Sequence, residues 1–239
     1  MLTLVLTRHG LTDRSIPEQH LGQKIDISIN DAGRRQADAL GRRLAGTAFD
    51  RVITSSLFRA RETAEIVAGS GARIEADPRL EEMDYGAWEG RTYAELDEND
   101  GPARRAWLER PDELRCPGGE SGDDVARRAT AFLTDLLDDH RRWTARASFR
   151  AATAAGRSDG AAGADHRVLA VGHGSLNRIL LCVALDTDVR HFRQRFIQSQ
   201  CNLTVLAFAD DAGPRQGTLL VANDTTHLRG PKDLPWGHS

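Results

Sequence analysis

Two apolar segments of this 239-residue chain end in the same way, in a histidine followed by a glycine. Segment 2–7 leads into Arg8-His9-Gly10, and segment 168–171 leads into Gly172-His173-Gly174. Each segment has the composition of a buried strand. Ligands of α/β proteins bind at the carboxyl ends of parallel strands. If both segments are parallel strands, two imidazoles and an arginine share one crevice, an arrangement suited to phosphoryl chemistry.

The apolar pattern along the chain predicts strands that alternate with helices. We expect strands over 2–7, 51–54, 73–75, 167–171, 202–209 and 217–222. We expect helices over 32–46 with Asn30 or Asp31 as cap, from Ser55 or Ser56 to about Ala68, over 91–98 and 102–109, from Ser121 to about Trp143, and over 175–185. This alternation predicts an α/β fold, a three-layer α/β/α sandwich with a mostly parallel central sheet. The final two strands have no helix between them, which predicts an antiparallel pair towards an edge of the sheet.

Length and composition favour a single domain over 1–239. A hydrophobic content of 40% and a charged content of 28% are ordinary for a globular protein. Residues 144–166 are rich in Ala, Arg, Gly and Ser and contain one large apolar residue, Phe149. We therefore expect a mobile insertion there and a polar tail over 229–239.

Charge, hydropathy and cysteine spacing argue against several classes of function. The net charge of −3 disfavours a nucleic-acid partner. No apolar run approaches the roughly 18 residues that cross a bilayer, and the first residues lack the features of a signal peptide, so we expect a cytoplasmic protein with no membrane partner. Cys116, Cys182 and Cys201 form neither a CxxC pair nor a disulfide framework. No residue spacing suggests a metal site, and the sequence leaves the oligomeric state open.

The residues around His9 fit the hydrolysis of a phosphomonoester. That reaction needs an in-line nucleophile, cations and N–H donors for the non-bridging oxygens, and a proton donor for the leaving oxygen. His9 is the candidate nucleophile, because a neutral imidazole is available near pH 7. The guanidinium of Arg8 would grip an anion, and Gly10 would let the chain turn close to a ligand. Thr12 completes this group.

Further candidates lie in later segments. Arg59 is at a predicted helix start, where free N–H groups attract anions, and it adds a second guanidinium. His173 adds a second imidazole. A carboxyl beside large apolar residues can keep its proton and act as a general acid. From the residues alone, four carboxyls are equally eligible for this role: Glu81, Glu82, Asp84 and Glu89. Five other histidines match no motif and are interpreted as surface or packing residues: His20, His140, His166, His191 and His238.

Five motifs occur in a familiar order. They are Arg8-His9-Gly10, Ser-Ser-x-x-Arg-Ala-x-x-Thr-Ala at 55–64, Leu-x-Glu-x-x-x-Gly-x-Trp-Glu-Gly at 80–90, Pro-Gly-Gly-Glu-Ser at 117–121 and Gly172-His173-Gly174. The chain thereby resembles the histidine phosphatase superfamily, in its phosphoglycerate-mutase-like branch, over nearly all of its length apart from 144–166. The resemblance implies a covalent phosphohistidine on His9 with no metal or cofactor. It also implies an oxyanion pocket of Arg8, Arg59 and His173, and it selects Glu82 as the proton donor.

The chain departs from the pattern of this family near the substrate. Members often carry Arg-His-Gly-Glu-Thr, an asparagine and then Gln-Gly, where this chain has Leu11, Ser15 and Leu21-Gly22. These departures predict a drier or differently shaped substrate pocket. The resemblance implies substrate contacts at Arg8, Gly10, Thr12, Ser15, Leu21, Gly22, Arg59, His173 and Gly174.

Four functions are compatible with parts of this pattern. The first is a hydrolase for phosphomonoesters of small metabolites, and the second is a mutase that returns the phosphoryl group to its product. The stretch 86–90 and the compact region 91–120 favour the hydrolase. A non-catalytic phosphate-binding domain is disfavoured because every candidate catalytic residue is present. A metal-dependent hydrolase would need clustered ligands that the sequence does not suggest.

Overall fold

In the computed structural model, which describes residues 1–153 and 165–229, six strands form one sheet. The strands are β1 (Leu2–Arg8), β2 (Arg51–Thr54), β3 (Ile74–Ala76), β4 (His166–Gly172), β5 (Leu203–Phe208) and β6 (Thr218–Asp224). Their order across the sheet is β3-β2-β4-β1-β5-β6. The first four strands run parallel, whereas β5 is antiparallel to both β1 and β6. The predicted mostly parallel sheet with an antiparallel pair towards one edge is confirmed.

Helices cover both faces of this sheet and complete the three layers. They are α1 (Asp31–Arg43), α2 (Phe58–Ala68), α3 (Tyr93–Asn99), α4 (Gly101–Glu109), α5 (Gly122–Thr153), α6 (Gly174–Ala184) and α7 (Phe192–Arg195). Helices α1 and α2 pack on one face, and α5 and α6 pack on the other. Within the described ranges, no helix has both the length and the apolar character that crossing a membrane requires.

Strand β4 shows how the two cores divide. Leu169 and Val171 belong to the core beneath α1 and α2, whereas Val168 and Ala170 belong to the core beneath α5 and α6. Successive side chains of a strand point to opposite faces, so a strand buried on both faces needs apolar residues at every position. This requirement explains the unbroken apolar run 168–171 that precedes Gly172-His173-Gly174.

Several helix ends differ from the prediction, and α1 ends at Arg43 rather than at residue 46. Helix α5 continues to Thr153 rather than ending near Trp143, so the first part of the predicted insertion 144–166 is helical. The rest of that insertion, 154–164, and the tail from 230 onward lie outside the described residues. Neither Ser55 nor Ser56 caps α2, because the cap position is taken by Leu57.

The caps of α1 and α5 follow the prediction. Asn30 caps α1, with its side-chain oxygen accepting a hydrogen bond from the backbone N–H of Gly33 at 2.9 Å. Ser121 precedes α5, and its hydroxyl accepts a bond from the backbone N–H of Asp124 at 3.3 Å. A side-chain oxygen at this position satisfies an N–H group that the first turn of a helix leaves free.

Truncation of Leu133 should show how strongly the core beneath α5 stabilises the fold. Leu133 is fully buried, whereas Leu220 on β6 is 56% exposed. We expect Leu133→Ala to lower the free energy of unfolding by about 2–5 kcal/mol, because it leaves a cavity. Leu220→Ala removes the same atoms from the surface and should cost less than about 1 kcal/mol. Urea titrations followed by circular dichroism measure both values, and similar losses would contradict this account of the core.

Candidate active site

The pairing of β1 with β4 places the two predicted histidines side by side. The two strands are parallel and aligned so that Arg8 lies opposite Gly172. His9 and His173 are the next residues of each strand, and the backbone N–H of His9 donates to the carbonyl of Gly172 at 3.1 Å. The ring centroids of the two histidines are 5.1 Å apart. Two residues separated by 164 positions in sequence therefore share one end of the sheet.

The surroundings of His9 favour a neutral imidazole with a defined tautomer. Its Nδ1 lies 2.8 Å from the carbonyl oxygen of Gly10. A carbonyl oxygen only accepts, so Nδ1 carries the hydrogen and Nε2 carries the lone pair. Burial, followed by the charges of Arg59 and Arg8, lowers the pKa of His9 well below 6.5, although the bond to Gly10 opposes the shift. The imidazole is therefore available as a nucleophile at neutral pH.

His173 is held by a serine that follows the neighbouring strand β2. The Nε2 of His173 lies 2.8 Å from the hydroxyl oxygen of Ser55, and the same oxygen accepts a bond from the backbone N–H of Leu57 at 3.2 Å. The serine hydroxyl can donate its hydrogen to Nε2, which leaves Nδ1 as an N–H donor. This Nδ1 is buried without a hydrogen-bond partner among the described residues. Burial, then Arg59 and His9, lowers the pKa of His173 well below 6.5.

A buried amide network behind β1 positions the guanidinium of Arg8. One terminal nitrogen of Arg8 donates to the carbonyl of Gln198 at 3.0 Å, and its backbone N–H donates to the side-chain oxygen of Asn202 at 3.2 Å. The amides of Gln198 and Asn202 also bond each other, at 3.2 Å. The Nε of Arg8 is buried with no hydrogen-bond partner in the described part of the chain.

Arg59 is fully buried in the first turn of α2. Its terminal nitrogens donate to the carbonyls of Gly22 at 2.8 Å and Ile25 at 3.0 Å. These bonds fix the guanidinium against the segment that follows β1. Its Nε, like that of Arg8, has no partner among residues 1–153 and 165–229. The charge of Arg59 is the second-largest contribution that lowers the pKa of His9, after burial.

The carboxylate of Glu82 lies at the N-terminus of α6. Its Oε1 accepts bonds from the backbone N–H groups of Met83 at 2.9 Å, Leu176 at 3.0 Å and Ser175 at 3.1 Å. Its Oε2 shares only the bond from Ser175, also at 3.1 Å. Oε1 therefore accepts bonds from three donors, whereas Oε2 keeps more of its lone pairs free of hydrogen bonds.

A clamp formed by Arg128 and Glu120 supports the segment that carries Glu82. Arg128, on α5, donates to the carbonyls of Arg79 at 2.7 Å, Glu81 at 2.6 Å and Glu82 at 3.1 Å. It also pairs with Glu120, which accepts the backbone N–H of Asp84 at 2.9 Å. The Pro-Gly-Gly-Glu-Ser motif thus contributes Glu120, which positions this segment.

An open cleft of about 500 Å³ lies at this end of the sheet. Six of the predicted site residues line it: Arg8, His9, Ser15, Leu21, Glu82 and Gly174. The other predicted site residues are not part of the lining: Gly10, Thr12, Gly22, Arg59 and His173. Arg59 and His173 are fully buried, and the ring of His173 contacts the ring of His9.

Gly10, Thr12 and Gly22 have packing roles in the structure, and the ligand contacts expected of them stay a prediction. A Cβ atom at Gly10 would lie 2.7 Å from the carbonyl oxygen of Gly33, so the glycine allows the segment after β1 to approach the start of α1. The hydroxyl of Thr12 lies 3.1 Å from that of Ser15. A Cβ atom at Gly22 would collide with the carboxylate of Glu89.

Several cleft residues escaped the sequence analysis because they come from separate segments. Tyr85 and Tyr93 line one side together with His20, and Arg178 and Arg193 approach from α6 and α7. Arg178 was detectable in principle, because it lies four residues after Gly174 and thus on the same helix face. Nothing in the sequence around the other residues indicates that they meet at one cleft.

The composition of the described residues also bears on metal binding. Within residues 1–153 and 165–229, no group of three or more His, Cys, Asp or Glu side chains is arranged to hold a metal ion. The buried nitrogens described above are instead N–H donors, which suit an anion.

Comparison with known proteins defines the family. A model of the histidine phosphatase superfamily (branch 1) matches residues 4–219. Glucosyl-3-phosphoglycerate phosphatase of Mycolicibacterium vanbaalenii is 35% identical over 188 residues, which cover 78% of this chain and 75% of that protein. The chain belongs to the histidine phosphatase superfamily. The prediction of a phosphoric monoester hydrolase of this type is confirmed.

Solved structures agree with this assignment. Bacillus stearothermophilus YhfR superposes with a TM-score of 0.78 at 28% identity, covering 96% of this chain and 100% of that chain. A mycobacterial glucosyl-3-phosphoglycerate phosphatase in complex with VO3 superposes with a TM-score of 0.77 at 28% identity, covering 94% of this chain and 100% of that chain. The fold predicted from the sequence is thus that of the family.

The buried imidazole of His20 should make stability depend on pH. His20 packs against Tyr85 and Tyr93, with ring centroids 4.1 and 4.9 Å away, and burial, followed by the charges of Arg193 and Arg104, lowers its pKa to about 3. In the unfolded chain the pKa returns to about 6.5. Below that pH the unfolded state binds a proton that the folded state rejects, so the free energy of unfolding falls as the pH falls.

We expect His20→Phe to remove this contribution. As the pH falls from 6 to 4.5, the free energy of unfolding should fall less steeply for the variant than for the wild type. The two slopes should differ by about 1.4 kcal/mol per pH unit. Above pH 7.5 the two curves should run parallel, because His20 is neutral in both states. Urea titrations across this pH range provide the slopes, and equal slopes below pH 6 would refute the role of His20.

Proposed function

We propose that the enzyme hydrolyses phosphomonoesters of small metabolites through a phosphohistidine on His9. The main support is a set of three buried nitrogens without partners among the described residues: Nε of Arg8, Nε of Arg59 and Nδ1 of His173. Buried N–H groups are normally hydrogen-bonded, and leaving one unpaired costs about 1–3 kcal/mol. Three such donors around one imidazole are explained by an anion that binds there. A cleft of about 500 Å³ suits a small ligand.

In the first step, Nε2 of His9 attacks the phosphorus atom in line with the ester oxygen. The N–P bond forms as the P–O bond to the leaving group breaks. Arg8, Arg59 and His173 stabilise the negative charge on the three non-bridging oxygens. Oε2 of Glu82 gives its proton to the leaving oxygen, so that an alcohol departs rather than an alkoxide.

In the second step, water cleaves the phosphohistidine. Glu82, now ionised, takes a proton from the water as its oxygen attacks phosphorus. The N–P bond breaks, the electron pair returns to Nε2 of His9, and inorganic phosphate leaves. The open cleft supports hydrolysis over mutase chemistry, because a mutase must keep water away from its phosphoenzyme.

Substitution of His9 tests the nucleophile. With p-nitrophenyl phosphate in the presence of EDTA, the wild type should turn over, and rapid quenching into base should trap a phosphoprotein that is labile to acid. His9→Ala should lose both turnover and the trapped phosphoprotein, with at least a 10³-fold fall in kcat expected for loss of a covalent catalyst. His191→Ala, an exposed histidine outside the cleft, is the matched control.

The outcomes distinguish the competing mechanisms. Wild-type rates in His9→Ala would exclude His9 as the nucleophile. Loss of wild-type activity in EDTA would indicate a metal-dependent enzyme. A phosphoprotein that persists in water until product is added would indicate a mutase.

Substitution of Glu82 tests the proton donor. Glu82→Gln should lower kcat/KM for alkyl phosphates by about 10²–10⁴-fold, because alkoxides are poor leaving groups without a proton. The loss for p-nitrophenyl phosphate should be much smaller. Glu81→Gln is the matched control, since Glu81 bonds the hydroxyl of Ser56 and is not part of the cleft lining. Equal losses for both substrate types would argue against a general acid at Glu82.

A further inference from the structure

Ser55 carries a buried hydroxyl that the proposed reaction does not use. It follows the last residue of β2, and its backbone N–H donates to the carbonyl of Val171 on β4 at 3.0 Å. That bond continues the parallel pairing of β2 with β4 by one residue. His173 comes two residues after Val171, and the pairing thus brings the serine hydroxyl to 2.8 Å from Nε2 of His173. Ser55 is fully buried at this position.

One contact of the Ser55 hydroxyl has a fixed direction. Its oxygen accepts a hydrogen bond from the backbone N–H of Leu57 at 3.2 Å, and a backbone N–H can only donate. This local bond holds the serine side chain in place at the start of α2. The hydroxyl hydrogen is left over, and within the described ranges Nε2 of His173 is the remaining hydrogen-bond contact of this hydroxyl.

The opposite direction of the bond to His173 leaves more groups unsatisfied. If Nε2 carried the hydrogen, the Ser55 oxygen would accept two bonds, and its own hydrogen would have no acceptor among residues 1–153 and 165–229. Nδ1 of His173 would then be a buried lone pair that accepts no bond from the described residues. Buried polar groups without partners are costly, so the contacts favour a hydrogen on Nδ1 and a bare Nε2.

The choice of tautomer matters because the imidazole of His173 is neutral. Burial, followed by the charges of Arg59 and His9, lowers the pKa of His173 well below 6.5. The further charges of Arg8 and Arg128 act in the same direction. A neutral imidazole carries one hydrogen, either on Nδ1 or on Nε2. Its Nδ1 can therefore donate to an anion in only one of the two tautomers.

The two imidazoles of the site thus have the same tautomer and present opposite ends of the ring. His9 carries its hydrogen on Nδ1, which bonds the carbonyl of Gly10, and so presents the lone pair of Nε2. In His173, Nε2 is occupied by the Ser55 hydroxyl, and Nδ1–H has no partner in the described part of the chain. One ring is suited to attack phosphorus, and the other is suited to donate to an oxygen of the same group.

We propose that Ser55 is a positioning residue, which holds His173 as the Nδ1–H tautomer so that the neutral ring donates a hydrogen bond to the phosphoryl group. The proposal rests on the proposed function, because it explains how one donor of the same pocket is kept in the form that can donate. Ser55 transfers no proton in this role: it keeps its hydrogen, which bonds the lone pair of Nε2.

The tautomer of the wild type can be measured directly. In protein labelled with ¹⁵N-histidine and free of phosphate, two-bond ¹H–¹⁵N correlation spectra at pH 7 distinguish ring nitrogens with and without a hydrogen. The signals of His173 are those missing from the spectrum of His173→Gln. We expect a protonated Nδ1 and an unprotonated Nε2. An Nε2–H tautomer or an imidazolium at this position would overturn the proposal.

Variants of Ser55 connect the tautomer to turnover. Ser55→Ala removes the donor to Nε2, so the spectrum should lose the Nδ1–H form of His173. We expect kcat/KM for p-nitrophenyl phosphate to fall by roughly 10-fold, the value of one hydrogen bond. Ser55→Thr keeps a hydroxyl and should restore the tautomer and most of the rate. Ser56→Ala is the matched control, because the Ser56 hydroxyl bonds Glu81 instead.

Two results for Ser55→Ala would also overturn the proposal. A reduced rate with the wild-type tautomer of His173 would mean that Ser55 only supports the packing of the site. A changed tautomer with the wild-type rate and the wild-type affinity for phosphate would mean that the hydrogen on Nδ1 does not contribute to the reaction.

Binding of inorganic phosphate separates this proposal from the proposed function. Calorimetric titration needs no turnover, and the Kd for phosphate should rise by roughly 10-fold in Ser55→Ala but stay at the wild-type value in Ser56→Ala. If this difference were found in an enzyme that hydrolyses no phosphomonoester, the proposed reaction would be wrong and the role of Ser55 right. Hydrolysis through His9 with equal phosphate affinity in the wild type and Ser55→Ala would support the reaction and refute the role of Ser55.

Discussion

The parallel pairing of β1 with β4 is the interaction on which the active site depends. Its alignment sets Arg8 opposite Gly172, and one backbone bond from His9 to Gly172 extends the pairing past the ends of the strands. A slip of one residue would turn the apolar side chains of β1 to the wrong faces, so both cores oppose it. The position of the two imidazoles is thus enforced by packing far from the cleft.

Other hydrogen bonds fix the arginines of the site, and each keeps one buried nitrogen free where the proposed phosphoryl group would bind. Arg59 is tied to two backbone carbonyls and Arg8 to a buried amide network, yet each keeps a buried Nε without a partner in the described part of the chain. Burial is the largest cause that lowers the pKa of His9, and the positive charges of these two arginines are the next largest. The cations that would bind the phosphoryl group therefore also keep the imidazole of His9 neutral. Both effects lower the stability of the free enzyme.

Much of this arrangement could be predicted from the sequence, because its strongest signals are local. Apolar strands that end in His-Gly and a capping Asn30 each depend on a few consecutive residues. The carboxyl of Glu82 could not be separated from its neighbours by local chemistry; the bonds to α6 that distinguish it join segments about 90 residues apart. Arg193 was missed for the same reason. Helix α5 continues to Thr153 through a segment whose composition we interpreted as typical of a loop. Alanine and arginine are common in that segment, and both also favour helices.

Helix α6 contacts the carboxylate of Glu82 through its first backbone N–H groups and presents Arg178 one turn later. A helical turn is stiff, so a displacement of the guanidinium would also shift the backbone N–H groups that orient Glu82, the proposed proton donor. The part of a metabolite remote from the scissile bond could then influence how promptly the departing oxygen is protonated, and discrimination between metabolites would be expressed in turnover as well as in affinity.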